Sequence, residues 1–395
     1  MFEYALKGKP RYWIWLGFLA TLILIAFYFW NLEHHIGAGR LLGLHRDLTW
    51  GLHIGQLAFF VGAAAGAVMI VLPYYFHNYK EFSKITVLAE FFAVGMVLVA
   101  MLSVFVVMGQ PPRVFYVLLY PTPNSIIFYD LIVLSGYLIL NLICGWTVLH
   151  AEYKGVKYPT WLKPIIYLAI LWGPSIHIVT AFLLQGLPGR DYWLTAIMAP
   201  RFLATAFSAG PALLIVLALL AKKLTGFDVG QKAIDTIAKI ITYAFIINLL
   251  FFGFEVFTAF YSGIEHHKAP ILYLFFGYEG HTEYVGLMWL SMILALIAVV
   301  LLVIPPLRRN ETALVLACLA VIASVWIEKG FALMIGGFTP NPFHTVTPYI
   351  PTFPEFMIAV GTWAVGFTIV TILWKIAISV YQSKEKGVFL SNHKV

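Results

Sequence analysis

Ten stretches of this chain are apolar for about twenty residues or more, and no connection between them is long enough to form a domain of its own. At 1.5 Å per helical residue, about twenty residues cross the roughly 30 Å of hydrocarbon in a bilayer. The runs cover residues 12–31, 49–75, 84–109, 125–150, 163–186, 197–221, 237–262, 284–306, 311–337 and 355–381. A backbone amide or carbonyl left unpaired in lipid costs several kcal/mol, so runs of this length are expected as helices. The expected fold is therefore an all-α polytopic membrane protein. With 61% hydrophobic and 11% charged residues, the chain is far from the make-up of a soluble domain.

The net charge of +7 would suit nucleic acid if the basic residues formed a patch. They sit instead in short connections between apolar runs, which points to the lipid bilayer and not to nucleic acid. Alternate connections and termini carry 17 and 6 Lys and Arg, and Lys329 and Lys375 lie inside spans, which accounts for all 25. The crowded side includes both ends of the chain, down to Lys386 and Lys394. An excess of positive charge marks the cytoplasmic side, so both termini are expected there, in a multi-pass protein of the cytoplasmic membrane. The first run follows Lys7, Lys9 and Arg11. It is too long for a signal-peptide core and lacks a small-x-small cleavage site, so it reads as a retained span. The sequence Asn310-Glu311-Thr312 fits a glycosylation acceptor but falls on the inner side, where it has no such use.

Two four-helix units are visible as a weak internal repeat. The second run carries Gly51, Gly55, Ala58, Gly62, Ala65 and Gly66, a stripe of small residues that lets a neighbour come close. The sixth opens with Arg201 and its own stripe, Ala204, Thr205, Ser208 and Ala212. The third and seventh runs are each followed by a Gly-containing turn, Met108–Arg113 and Tyr261–Glu265. The fifth ends in Gly186-Leu187-Pro188 and the ninth in Gly336-Gly337-Phe338-Thr339-Pro340. The resulting division is an N-terminal span with its outer loop (1–45), a first bundle of helices two to five (46–188), a second bundle of helices six to nine (189–340), and a last span with a cytoplasmic tail (341–395). The units read as a parallel repeat with one flanking helix at each end. The outer connections, 32–48, 110–124, 263–283 and 338–354, are rich in Pro, Gly, His and aromatics and suit a docking surface.

An ionisable side chain at the centre of a span costs roughly 2.5–3.5 kcal/mol, and something has to offset it. His53, Asp130, His177, Glu255 and Glu328 fall roughly 9–18 Å below the outer face by residue count, and Glu355 opens the tenth run. Glu90 lies toward the inner side. Each alone is explained by helix–helix hydrogen bonding. Six from six helices suit a lipid-soluble substrate and its protons. Oxidising a quinol removes two electrons and two protons, and His or a partly desolvated carboxylate can accept the protons. Asp130 and His53 are expected on adjacent helices of the first unit, with the glycine stripe leaving room for a flat ring. Arg113 is expected near Asp130, either holding it ionised or capping the interface. Glu328 and Lys329 are expected as an internal ion pair in one reading.

These features resemble one known family. The segments Pro174–Phe182, Leu187–Gly189 and Ala199–Leu217 carry the likeness, with Gly109–Arg113, Leu118–Ser125 followed by Asp130, and Glu255–Gly263. Together they resemble the NrfD/PsrC family of membrane-anchor subunits of quinone-linked respiratory complexes, in its longer ten-helix branch. The resemblance implies a menaquinone site in helices two to five near the outer face. It implies an extracytoplasmic ferredoxin-like iron–sulfur partner within a complex of further membrane and cytochrome subunits, and no haem in this chain. Catalytic roles then fall on His53, Asp130 and His177. Trp50, Gln56, Arg113 and Arg201 join them around the ring, and Glu90, Glu255, Glu328 and Glu355 serve as a proton path. With only Cys144 and Cys318, and no CxxC pair, the chain cannot hold an iron–sulfur cluster or a structural zinc by itself. Two alternatives stay open. One is a b-type cytochrome with His53 and His177 as axial haem ligands; the other is an ion-translocating subunit without quinone chemistry.

Overall fold

The computed structural model describes residues 1–385, so Lys386 and Lys394 of the expected cytoplasmic tail lie outside the described residues. Ten helices have the length and apolarity to cross a membrane. We number them α1 (Pro10–Ile36), α2 (Leu52–Phe76), α3 (Lys80–Val107), α4 (Ile126–Lys154) and α5 (Leu162–Gln185). The chain continues through α6 (Met198–Thr225), α7 (Gln231–Ser262), α8 (Val285–Val303), α9 (Glu311–Phe338) and α10 (Phe353–Glu385). Among the described residues there is no strand, only one isolated bridge between Tyr278 and His281.

Local chemistry ends the helices where expected. Gly155, Gly226 and Gly263 close α4, α6 and α7 with φ of 66°, 73° and 66°, the left-handed turn that only glycine takes without strain. Asn310, the first residue of the would-be glycosylation site, accepts a hydrogen bond from Ala313 N at 3.0 Å and caps α9.

Helices α2, α3, α4 and α5 pack in a ring, and α6, α7, α8 and α9 pack in a second ring. The rings meet through α2 against α6, α5 against α6, and α2 against α9, while α10 packs on α1 and α3. In the first ring α2 and α4 stand across the diagonal, each flanked by α3 and α5. His53 and Asp130 are therefore not on adjacent helices, contrary to the sequence expectation. A long side chain bridges that diagonal: Tyr137 Oη donates to Ala64 O at 3.4 Å.

The glycine stripe of α2 has a different use from the one expected. A Cβ on Gly55 would lie 1.9 Å from Gly330 O of α9, and one on Gly66 would lie 2.4 Å from Ala206 O of α6. A Cβ on Gly210 would meet Ala63 O at 2.6 Å. The small residues bring three backbones together at the junction of the rings, so the space foreseen for a flat ring is filled by neighbouring helices. In lipid this close van der Waals approach is what drives helices together.

On the face that carries both described ends of the chain, Lys222 bridges Glu311 at 2.6 Å and Asp228 at 3.2 Å. Asp228 also accepts from Gly230 N at 2.8 Å, and this bond, followed by Lys222, holds its carboxyl below the usual range. A depressed carboxyl contributes stability above its unfolded pKa, which is lost as pH falls through the folded value. Asp228→Asn is therefore expected to remove part of the protein's acid sensitivity below about pH 4, read as a smaller fall in thermal stability between neutral and acidic buffer.

Candidate functional site at the junction of the two bundles

The site is built around a change of helical pitch. Through Glu328–Ala332, α9 widens into a π turn, a feature often found at functional positions. Neighbouring side chains there diverge. Glu328 ion-pairs with Arg201 of α6 inside the second ring, and Arg201 pairs in turn with Glu255 of α7. Lys329 reaches the other way, to His177 Nε2 of α5. It also donates to Thr205 Oγ1 of α6 at 2.6 Å and to Phe202 O at 3.5 Å. Glu328 and Lys329 thus form no ion pair with each other, which corrects that reading of the sequence.

Gln56 fastens the π turn to α2. Its amide donates to Gly330 O at 3.2 Å and accepts from Trp326 Nε1 at 2.8 Å. Opposite Gly62, a Cβ would meet the imidazole of His177 at 3.1 Å and Lys329 Nζ at 3.5 Å. Four helices of both rings therefore converge on one buried point. His177 and Lys329 are 0% and 2% exposed, so neither is screened by water. The ammonium position also lies 3.9 Å above the Phe202 ring, a cation–π contact.

Around this centre the other expected residues take distinct places. Asp130, buried on α4, accepts from Thr180 Oγ1 at 2.8 Å, one turn along α5 from His177. His53 lies in the first turn of α2 and is fully buried, with neither ring nitrogen bonded; His177 Nδ1 is likewise without a partner. Residues 45–51 are not helical, so the helical rise used to set the depth of His53 does not apply there. His177 is level with Gly62, nine residues and roughly 14 Å along α2 from His53. Two axial ligands must face one iron from opposite sides, and these do not. The haem reading of that pair is therefore set aside on geometry.

Arg113 is exposed in the turn Pro111–Phe115 and does not reach buried Asp130. Arg201 is held between two carboxylates of the second ring and does not face the first. Trp50 stacks on Trp193, whose indole donates to Leu333 O at 2.8 Å, with ring centroids 6.1 Å apart. Gly336 and Gly337 exist to seat that connector: side chains there would collide with Tyr192 and Trp193. Glu90 accepts from Tyr75 Oη at 3.4 Å and lines a narrow cavity with Tyr137, Asn141 and Cys144. Glu355 caps α2: its Oε1 accepts from Leu52 N at 3.1 Å and from Tyr349 Oη at 2.6 Å. Burial, and then the charge of Glu355, push the Tyr349 phenol well above its ordinary range, so it stays a donor.

The sequence reading missed Lys329 as a partner of His177, and with it Thr180, Thr205 and Tyr349. Spacing offered a signal for Thr180, three residues from His177 and so on the same helical face. Nothing in the spacing announces Lys329, because its direction depends on the π turn.

Residues 40–341 match the family model described as polysulphide reductase, NrfD. The chain belongs to the NrfD family. Among curated relatives it is 24% identical over 400 aligned residues to a putative dimethyl sulfoxide reductase membrane subunit of Halobacterium salinarum, covering 90% of this chain and 89% of that one. A selenate reductase subunit of Mesobacillus selenatarsenatis is 23% identical, over 74% and 75% of the two chains. The Hdr-like menaquinol oxidoreductase integral membrane subunit of Archaeoglobus fulgidus is 21% identical, over 89% of both. The matched segment thus covers both rings, and the flanking helices α1 and α10 lie outside it.

Proposed function

We propose that this NrfD-family protein is the quinone-reactive membrane subunit of a respiratory oxidoreductase complex, oxidising menaquinol or reducing menaquinone in its first bundle. The observation that carries this reading is the two buried histidines there with unpartnered ring nitrogens, His53 at both and His177 at Nδ1, the latter beside the hydrogen-bonded Asp130–Thr180 pair. Buried polar atoms without partners are rare and call for an absent one. A quinol hydroxyl or quinone carbonyl supplies the complementary acceptor or donor at His53 or, roughly 14 Å along α2 from it, at His177 beside Asp130, so either place fits one end of the headgroup chemically. A cavity of about 10 Å³, room for a single water, lies farther toward the inner side, lined by Glu90, Tyr137 and Asn141.

The relatives' names support the same class, since one is a menaquinol oxidoreductase subunit and two are reductase subunits. On this reading the electrons pass to an extracytoplasmic, ferredoxin-like iron–sulfur subunit, within a complex holding further membrane and cytochrome subunits. The finer likeness we favour is to the DsrP subunit of the sulfur-metabolising DsrMKJOP complex. On the same reading the basic face, with both described ends of the chain, faces the cytoplasm. The two rings are read as a parallel repeat, because α2 meets α9 as α6 meets α5. Within the proton path, Glu255 and Glu328 are engaged by Arg201 and Glu355 by the start of α2. Glu90, Glu255 and Glu355 each keep one oxygen unpartnered, and Glu90, which lines a cavity and is held by no cation, is the carboxyl we favour for moving a proton.

The test is the complex carrying Asp130→Asn or His53→Ala. Loss of a positioned proton acceptor is expected to lower quinol-dependent turnover about 100-fold or more while the complex still assembles. Native turnover in both variants would remove the pocket from the first bundle.

A further inference from the structure

His177 and Lys329 are a matched pair whose geometry accommodates two protonation states. The amine of Lys329 has three partners: Thr205 Oγ1 at 2.6 Å, Phe202 O at 3.5 Å, and His177 Nε2. As an ammonium it donates one hydrogen to each. As a neutral amine it donates two, to Thr205 and Phe202, and its lone pair accepts from His177 Nε2–H. No side chain has to move between the two arrangements, because imidazole can carry its single proton on either nitrogen. Thr205 donates onward to Phe202 O at 2.7 Å and so remains an acceptor for Lys329 in both.

The charges nearby balance the same way. In the second ring one guanidinium, Arg201, faces two carboxylates, Glu255 and Glu328, leaving one negative charge beside Lys329. A protonated Lys329 neutralises it. Farther off, α2 carries His53, roughly 14 Å along the helix, α3 carries Glu90 toward the inner side, and α4 carries Asp130, bonded to Thr180, and Tyr137. The apolar α8 presents no charged residue.

We propose that His177 and Lys329 form a proton relay across the junction of the bundles, taking a proton at His177 Nδ1 and delivering one to Lys329 Nζ. With Lys329 neutral, His177 carries its proton on Nε2 and offers Nδ1, which is buried without a partner, as a free acceptor. When Nδ1 takes a proton from a substrate hydroxyl, the proton on Nε2 passes to Lys329, and the imidazole returns to neutrality in its other tautomer. The electrons leave separately to the iron–sulfur partner, so one proton enters and one leaves the ring per relay step. Lys329 is a positioning and proton-holding residue that acts through His177. This inference rests on the quinone reading above.

The experiment uses the whole complex with Lys329→Gln and Lys329→Arg. Glutamine can bond to Thr205 and His177 but takes up no proton, and arginine keeps its charge permanently. Three readouts are compared with the native complex. They are binding of 2-heptyl-4-hydroxyquinoline N-oxide followed by its fluorescence, quinol turnover against pH, and redox-difference infrared spectra with ¹⁵N-labelled histidine. The relay requires inhibitor binding within about threefold of native in both variants. Turnover should fall about 100-fold with a flattened pH profile, and the redox-linked imidazole band of His177 should disappear. Native turnover and pH profile in either variant, an unchanged imidazole band, or loss of inhibitor binding in both would each overturn it; the last would make Lys329 structural. A native complex that neither binds the inhibitor nor oxidises quinol would instead sink the quinone reading itself.

Discussion

Arg201→Met is expected to destabilise the protein by about 3–5 kcal/mol, the usual cost of removing one partner from a buried ion pair. The native guanidinium sits between Glu255 and Glu328 and is 4% exposed. Taking it away leaves two largely buried carboxylates facing each other in a ring of apolar helices. It also removes the cation above the Phe252 ring, 4.9 Å from its centroid. The measurement is the midpoint of unfolding when the detergent-solubilised protein is titrated with a denaturing detergent. The triple variant Arg201→Met, Glu255→Leu, Glu328→Leu should recover most of the loss, because apolar replacement of an entire buried charge cluster is often neutral or better. If the single variant unfolds at the native midpoint, the triad is not the electrostatic core of the second ring.

That triad also marks where sequence reading stopped. Ten spans were legible because 1.5 Å per residue and the thickness of a bilayer leave few alternatives for runs of this apolarity. Which spans form the core was not. α1 and α2 have nearly equal mean hydropathy, 2.0 and 2.1, yet the most apolar windows are 11% and 78% buried. Lipid and protein interior are equally apolar, so composition cannot separate a lipid-facing helix from a central one. The buried ionisable residues of α2 to α10 were picked out, because their cost in a span is independent of context, while Glu33, buried near the end of α1, was passed over. Their partners were not, because pairing depends on helix order around each ring and on direction at the π turn. Arg113 and Asp130 are close in sequence and apart in space, while His177 and Lys329 are 152 residues apart and in contact.

The small residues carry the same lesson. Spacing marked Gly51, Gly55, Gly62 and Gly66 as a face that admits something, but not whether that is a ligand or a backbone. The structure gives backbone. The polar chemistry attributed to the stripe lies beside it: Gly62 allows His177 and Lys329 to meet, and Gly55 lets the π turn approach α2. Electrostatics at the site is thus set by steric clearance on a helix that itself bears no charge between His53 and His77.

Gly55→Ala should accordingly have an effect out of proportion to one methyl group. The added Cβ would stand 1.9 Å from Gly330 O and 2.7 Å from its carbonyl carbon, and both are backbone atoms that cannot rotate aside. Either α2 or the π turn must retreat by more than about 1 Å, since non-bonded heavy atoms settle near 3.5 Å or beyond. Retreat stretches the Gln56 bond to Gly330 and draws Lys329 away from His177, so stability and turnover should fall together. Gly253→Ala is the control. Nothing lies within 4 Å of its would-be Cβ, and in an open helical position alanine favours the helix by about 1 kcal/mol. Gly55→Ala is expected to lose about 3 kcal/mol, the upper end for an overpacked core, in the same denaturing-detergent titration and about 100-fold or more in turnover, with Gly253→Ala at or above native in both. A Gly55→Ala protein with native stability and native turnover would mean that α2 and α9 do not meet at this point, and the junction of the two rings would have to be redrawn.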